Sequence, residues 1–372
     1  MILTLITWFF IIIAIAHIVV QLVGYYALLK TPIQKEPLQP DEHLPFISLL
    51  LAVRNEEKNL PRCLSTLVKL DYPKDKLEIL IGNDCSEDNT GNIAESFAKQ
   101  HSHIQVFHLD GSEYEQTKGK ARVLAFLANQ AKGKYFFITD ADIEMNPAWM
   151  KGLLAAFDEK TAIVSGITVS ESGGFFQNLL SLDWLYFMSL NNSFSNIGTN
   201  VTAVGNNMAI TAEAYRRSGG YENLPFSITE DYKLFKIVHA LGYKIRNPIN
   251  PQTVLSCDPI PTFYDWLHQR KRWMRGGMEL PFIWKSLMLV LAIYYIAMIW
   301  IAFTNPPLWL AIWFAKFILQ SLQLMTTSRL VGQKSPSLLN MLLYDLYLYI
   351  AIPIMAIFYL TPTKIEWKGR KY

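Results

Sequence analysis

The chain has 372 residues, a formal net charge of +3 and 51% hydrophobic residues. Charged residues make up 17%, against about 25% in soluble domains, so this is not a soluble domain throughout. The small, dispersed charge excludes a nucleic-acid binder.

The deficit of charge is local. Residues 2–29, "ILTLITWFFIIIAIAHIVVQLVGYYALL", hold no Lys, Arg, Asp or Glu. About 20 apolar residues suffice to cross a bilayer. The stretch lacks the basic start of a cleaved signal peptide and is longer than its apolar core, so it is expected to stay as a membrane anchor. Residues 31–280 carry an ordinary mix of charges and turns and suit one domain. Three further apolar stretches follow, at 286–303, 308–325 and 338–360, with "TNPP" (304–307) as a tight turn between the first two. The expected organisation is therefore an anchor at 1–30, a polar domain at 31–280, and membrane segments with a basic tail at 281–372. Spans without charge argue against a transporter.

Lys30 and Lys35 follow the first apolar stretch, and "HQRKRWMR" (268–275) precedes the second. Both flanks of the polar domain thus read as cytoplasmic. The basic tail "KIEWKGRKY" (364–372) reads the same way, yet three full crossings would put it on the other side. Either one C-terminal stretch is re-entrant or interfacial, or the charge rule does not hold for this tail; the sequence does not decide between them. Cys63, Cys85 and Cys257 are scattered, and an odd count without metal-like spacing predicts free thiols.

Within the polar domain, "FISLLLAV" (46–53), "KLEILIG" (76–82) and "GKYFFIT" (133–139) are continuous apolar runs that stop at charge. "TAIVSGITV" (161–169) is a further strand. Such runs mark strands buried on both faces. Helical spacing appears in "NLPRCLSTLVKL" (59–70), "TGNIAESFAKQ" (90–100) and "GKARVLAFLANQA" (119–131). This alternation predicts an α/β fold with a mostly parallel, doubly wound sheet. Ligands bind beyond the carboxyl ends of such strands, and "RNEE", "NDCSED" and "TDAD" all fall there.

Asp140 and Asp142 sit one residue apart after a buried strand, where each raises the cost of ionising the other. A shared hard cation relieves this. Mg²⁺ or Mn²⁺ takes oxygen ligands and completes its shell with substrate phosphates. A helix cap before "NPAWMKGLLAAF" is the plainer role for the same residues. Asp84 suits a nucleobase imide, while Ser86 or Asp88 suits a cap. Arg54 and Glu56 suit either a ligand or a surface pair, and Lys120 suits a phosphate or solvent. Glu230-Asp231 opens an amphipathic helix, where a carboxylate can cap the helix or take a hydroxyl proton. Gln269, Arg272 and Trp273 share one helical face. Arg272 suits a diphosphate and Trp273 a sugar ring, or the segment is a basic helix whose side chains reach for lipid head groups. "GGFFQNLLSLDWLYFMSL" (173–190) is apolar but interrupted by polar residues, as in a helix lying on a membrane; an ordinary buried helix has the same pattern.

The order "RNE", "NDCSED", "TDAD", "TED", "QRKRW", with "GNNMAITAEAYRRSGGY" (205–221), resembles the membrane-bound family 2 glycosyltransferases over residues 46–280. That family includes cellulose, hyaluronan and poly-N-acetylglucosamine synthases and ceramide glucosyltransferase. The resemblance implies a GT-A fold and a nucleotide-diphosphate-sugar donor, expected to be UDP-linked. It implies that Arg54, Glu56, Asp84, Lys120 and Asp140 serve the donor, and that Asp142 binds Mg²⁺ or Mn²⁺. Asp231 would be the base of an inverting transfer, and Gln269, Arg272 and Trp273 would hold the diphosphate and the acceptor. The acceptor would be a lipid or a growing polysaccharide, the enzyme an inner-membrane protein with a cytoplasmic catalytic domain. The chain departs from the pattern at Asn83, where many members have Asp, and at Ala125, where many have Asn. A silent nucleotide-sugar-binding subunit is the alternative of another class, and the presence of Asp142 and Asp231 speaks against it.

Overall fold

The computed structural model describes residues 1–32, 41–114, 117–171, 173–224, 227, 229–364, 366–367 and 370–371. Lys35, used above for orientation, lies outside the described residues, as do Ile365, Lys368, Gly369 and Tyr372 of the basic tail.

In chain order the main elements are α1 (Ile2–Leu29), β1 (Ile47–Val53), α2 (Leu60–Leu67), β2 (Leu77–Asp84), α3 (Thr90–Gln100), β3 (Ile104–Leu109), α4 (Lys120–Gln130) and β4 (Tyr135–Thr139). Then come β5 (Ile143–Met145), α5 (Trp149–Leu154), β6 (Thr161–Ser165), β7 (Thr168–Ser170), α6 (Phe175–Ser195), β8 (Asn207–Thr211), α7 (Ala212–Arg217) and α8 (Glu230–Ala240). The chain continues through β9 (Lys244–Arg246), β10 (Leu255–Cys257), α9 (Phe263–Gly277), α10 (Phe282–Thr304), α11 (Pro306–Leu330) and α12 (Leu338–Leu360).

These elements pack as two compact units. The first, an α/β unit, comprises residues 32–171 and 198–258. Its seven-stranded sheet has the order β3-β2-β1-β4-β8-β6-β9. β3, β2, β1 and β4 are mutually parallel, and β8 runs antiparallel to both β4 and β6. The sheet is therefore mostly parallel, as the apolar runs predict. Every residue of β2 is buried, and β1 and β4 are nearly so, which is why these strands show no polar alternation. Leu49, Leu51, Ile79, Ile81 and Phe137 meet Leu60, Leu64, Trp149 and Leu153 in one core.

Two differences from the expected strands have local causes. The run 161–169 is not one strand but β6 and β7, and it breaks at Gly166, where a Cβ would collide with the carbonyl oxygen of Thr253. β7 then leaves the main sheet and pairs with β10, which also pairs with β5. The chain also inserts β3 between α3 and α4. As an edge strand it exposes two of its six residues, Gln105 and His108, so it lacks the continuous apolar run.

The second, a helical unit, comprises residues 1–31, 172–197 and 259–372. Among the described residues, α1, α10, α11 and α12 are the helices long and apolar enough to cross a membrane. The expected boundaries at 31 and 281 left α6 and α9 with the polar domain, but by backbone packing both group with the apolar helices. The expectation of uncharged spans is corrected here: Lys316 lies within α11 and Asp345 within α12, both almost wholly buried. Each neutralises the other as an ion pair, so two charges coexist with an apolar average.

Candidate active site

The loops at the carboxyl ends of β1 and β2 are stitched together. Asn55 N–H donates to Ser86 Oγ at 3.1 Å, and Asn55 Oδ1 accepts from Glu87 N at 2.9 Å. Glu56 N donates to Thr90 Oγ1 at 2.7 Å, and Glu57 N donates to Asp88 Oδ2 at 3.1 Å. Asn55 (φ 51°) and Cys85 (φ 53°) both adopt the left-handed conformation, which non-glycine residues enter at a cost. Two such turns, one on each strand, let the loops interlock. Asp88 also accepts from the backbone N–H and hydroxyl of Thr90, so its role is to fix the start of α3. Glu56 is buried and accepts from Asn59 Nδ2 at 2.8 Å.

Asp84 is buried at the last position of β2. Its carboxylate pairs with Arg122 of α4. Arg54 Nη1 donates to the Asp84 carbonyl at 2.9 Å. Arg122 also donates to Gly111 O at 2.6 Å, so it fixes both the carboxylate and the loop after β3. Arg122 is absent from the residues expected at the site. Its signal was available: apart from the Lys that opens the helix, it is the one charged residue of the buried "KARVLAFLANQ". A buried guanidinium needs a partner.

Asp140 and Asp142 follow β4, as expected, and both are half-buried. Lys120, the first residue of α4, pairs with Asp140 and lies 3.8 Å from Glu230 Oε1 at the start of α8. Burial alone would lower the Lys120 pKa; the Asp140 and Glu230 carboxylates outweigh it and hold the ammonium well above its ordinary value. Gly119 (φ 63°) provides the turn that delivers Lys120 to this point. Asp231 Oδ2 accepts from Gly205 N at 2.9 Å. The close approach needs glycine, because a Cβ there would sit 3.0 Å from the Asp231 Cβ. The "TDAD", "GNN" and "TED" segments, far apart in sequence, thus converge with Lys120 in the α/β unit.

The charge of Asp142 is felt by two thiols. Burial pushes Cys63 up, with Asp142 and Asp140 adding to the effect; burial and then Asp142 push Cys257 up to about 12. All three cysteines are free, and Cys63 and Cys257 are kept protonated and unreactive. Among the described residues no group of three or more His, Cys, Asp or Glu side chains is gathered as a metal cage. Two carboxylates with oxygen donors still fit Mg²⁺ or Mn²⁺, which commonly take one or two protein carboxylates and fill the shell with water and phosphate.

Gln269, Arg272 and Trp273 lie on α9, in the helical unit. Trp273 is packed by other groups: its ring centroid is 4.8 Å from that of Trp184, and the Arg270 guanidinium lies 4.5 Å above it. The expected lipid- or phosphate-binding role of the whole basic cluster is corrected in part. Arg270 pairs with Asp183 of α6. Lys271 donates to the carbonyls of Phe358 and Thr361, at 3.2 and 2.7 Å, and so caps α12. Those two charges serve the fold.

The family described as Glycosyl transferase family 21 matches residues 6–372. Among curated relatives, the probable glycosyltransferase YdaM of Bacillus subtilis is 27% identical over 241 residues, covering 63% of this chain and 56% of that one. The beta-monoglucosyldiacylglycerol synthase of Trichormus variabilis is 25% identical over 244 residues, covering 63% and 50%. The poly-beta-1,6-N-acetyl-D-glucosamine synthase of Staphylococcus epidermidis is 24% identical over 260 residues, covering 68% and 60%. The chain thus spans about half the length of the curated relatives it matches. Among solved structures, the mannosyltransferase PcManGT from Pyrobaculum calidifontis, in complex with GDP-Man and Mn²⁺, superposes with a TM-score of 0.58 at 19% identity, covering 95% of this chain and 96% of that one. That likeness shows the fold: the α/β unit is GT-A-like.

Proposed function

The chain belongs to glycosyl transferase family 21, and on that premise we propose that it moves a sugar from a UDP-linked donor to a membrane lipid. The observation that carries this is the convergence of Lys120, Asp140, Glu230 and Asp231 beyond the carboxyl end of β4, the edge where α/β sheets bind ligands. Asp84, oriented by Arg122, receives the nucleobase, with Arg54 and Glu56 shaping the loop around it. Asp142, with Asp140 beside it, would hold Mg²⁺ or Mn²⁺. When bound, the cation supplies neutralisation of the diphosphate leaving group. Lys120 holds Asp140 in place and offers a positive charge to the same phosphates.

Asp231 takes the proton of the acceptor hydroxyl. The Gly205 amide fixes the direction of its carboxylate, and a fixed base within reach of the hydroxyl is what a single, inverting displacement needs. Glu230, turned to Lys120, is the neighbour that adjusts charge. The QxxRW residues Gln269, Arg272 and Trp273 keep their proposed role toward diphosphate and acceptor on the sequence resemblance. A lipid acceptor is supported by the likeness to a glucosyldiacylglycerol synthase. The likeness to a poly-N-acetylglucosamine synthase favours a processive polymerase as the second reading. α6, rich in aromatics and exposing Phe175 and Phe187, belongs to the membrane-contacting part of residues 31–280.

Incubating the purified full chain with a panel of UDP-sugars and membrane lipids, followed by mass spectrometry, tests this. A lipid gaining one sugar mass supports the proposal. A ladder of products identifies the polymerase. UDP binding without turnover of any donor is the result of a silent subunit and overturns it. We also propose that the α/β unit faces the cytoplasm of an inner membrane, because Lys30 and the 268–275 cluster flank it. Cys85 is exposed, so ready labelling of it by an impermeant thiol reagent on intact cells would reverse the orientation.

A further inference from the structure

The edge strand β3 carries a titratable side chain that the sugar-transfer proposal does not use. Phe107 turns to Phe126 of α4, with 5.4 Å between ring centroids, so its neighbour His108 lies on the opposite face, toward α3. There its ring sits between two groups. Asn83 of β2, its partner in the parallel register, is buried and places Nδ2 3.1 Å from Nδ1 of the ring. Glu95 of α3 places Oε1 3.0 Å from Nε2. Gly91 of α3 makes the room: a Cβ there would lie 3.0 Å from Asn83 Nδ2 and 3.2 Å from His108 Cε1.

The hydrogen bonds run in one direction. Ser86 N–H can only donate, and it faces Asn83 Oδ1 at 3.3 Å, which fixes which end of the amide is which. Ser86 Oγ accepts from Asn55 N at 3.1 Å and gives its own proton to Asn83 Oδ1 at 2.5 Å. Asn83 Nδ2 therefore donates to His108 Nδ1. That nitrogen must be bare, so the ring's proton sits on Nε2 and goes to Glu95. From Asn55 to Glu95 every donor has an acceptor, provided that the ring is neutral. The same bonds close the turn from Asn83 to Ser86, which contains Asp84 and holds Cys85 in its left-handed conformation (φ 53°).

A proton on Nδ1 breaks this series, because two donors would face each other at 3.1 Å. The ring is half exposed, so solvent protons reach it. Glu95 faces it from α3 and favours the charged form, so the ring stays and Asn83 gives way. Turning the Asn83 amide over would satisfy the new N–H but take Oδ1 from both donors of Ser86, the residue on which Asn55 N rests. Neighbouring acids are turned elsewhere. Asp84 of β2 pairs with Arg122, and Asp110 accepts from Ser112 N and Oγ at 2.9 and 2.6 Å.

We propose that His108, neutral and with its proton on Nε2, is a positioning residue for the nucleobase loop, so that nucleotide binding requires the ring to be unprotonated. This rests on the reading of Asp84 as the nucleobase contact. Imidazole changes charge between about pH 5 and 8. The unprotonated form is the one that fits, so affinity is full above that range and falls as the pH drops through it. An aspartate at position 83 would reverse the sign: one oxygen would accept from Ser86, and the other would need a proton on Nδ1.

The test uses the purified full chain with Mg²⁺ and UDP-glucose, whose diphosphate is esterified at both ends and does not titrate over this range. Calorimetry measures its affinity between about pH 5.5 and 8. Hydrogen exchange on the ligand-free chain, corrected for intrinsic rates, follows the amides of Asn55, Ser86 and Glu87 over the same range. The unaltered chain is expected to lose about five- to tenfold in affinity toward the acid end, the worth of roughly one hydrogen bond, and loop protection is expected to fall with it. His108→Gln, which has no charge to gain, is expected to flatten both profiles. Asn83→Asp is expected to invert them, with the tightest binding at the acid end. A flat affinity profile in the unaltered chain overturns the proposal. So does an acid fall that persists in His108→Gln, or an Asn83→Asp chain that keeps the original direction. Loop protection that follows His108 while UDP-glucose binds at no pH supports the coupling and overturns the nucleotide reading instead.

Discussion

In the α/β unit the buried Arg122–Asp84 pair and the half-buried Lys120–Asp140 pair lie at strand ends and helix starts, beside loops. In the helical unit the Lys316–Asp345 pair lies mid-helix, with Trp313 as a further donor. The chemistry of the pairs is the same, but their surroundings differ. A pair at a strand end can exchange one partner for substrate or metal, so the carboxylate is held ready. A pair inside a helix bundle has no such exchange, and losing either member leaves a bare charge in a medium of low dielectric. The difference separates charges that the proposed reaction can use from charges that hold the helices together.

The largest effect is expected where exchange matters most. Asp142→Asn, or removal of divalent metal by EDTA, is expected to lower turnover by about 10³-fold or more, because a diphosphate leaving group goes uncompensated. Circular dichroism and membrane insertion should stay as they are. Turnover that ignores EDTA would contradict the site as described.

The architectural pair responds differently. Lys316→Met or Asp345→Leu alone is expected to destabilise the chain by about 3–5 kcal/mol, the cost of an orphaned buried charge. The double variant Lys316→Met/Asp345→Leu is expected to recover most of that loss. Thermal unfolding in detergent measures all three. A double variant as unstable as the singles would show that the two charges have separate partners.

A smaller effect is expected at Arg122. Arg122→Met should weaken UDP binding by about tenfold, one lost charge-assisted hydrogen bond that orients Asp84. Isothermal titration with UDP measures it. Asp84→Ala should weaken UDP binding as well, and combining the two changes should add little, since both break the same pair.

The sheet was legible where burial is two-sided. β1, β2 and β4 announce themselves because no polar face interrupts them, and the acidic clusters at their ends follow directly. β3 was missed because an edge strand exposes part of itself. β8 was missed because it returns antiparallel after the long α6, and nothing in "NMAIT" (207–211) tells its direction. Asp140, Asp142 and Asp231 were legible as a motif order, but the partner of each carboxylate was not. Lys120 reaches Asp140, Gly205 reaches Asp231 and Arg122 reaches Asp84 only through the fold. Trp273 shows the converse: the motif is legible, yet its ring is occupied by Trp184 and Arg270, contacts that no spacing reveals. Lys316 and Asp345 were missed for a third reason, since an apolar average conceals a single charge in each helix.

The role of Asp231 is the centre of the account, and steady-state turnover measured beside UDP affinity tests it most directly. A base acts on the acceptor after the donor has bound, so Asp231→Asn is expected to lower kcat by about 10²–10⁴-fold with the Kd for UDP unchanged within about twofold. Glu230→Gln, measured alongside, is expected to be the milder of the two. If Glu230→Gln abolishes turnover and Asp231→Asn spares it, the base is Glu230 and the proposed geometry of transfer is wrong.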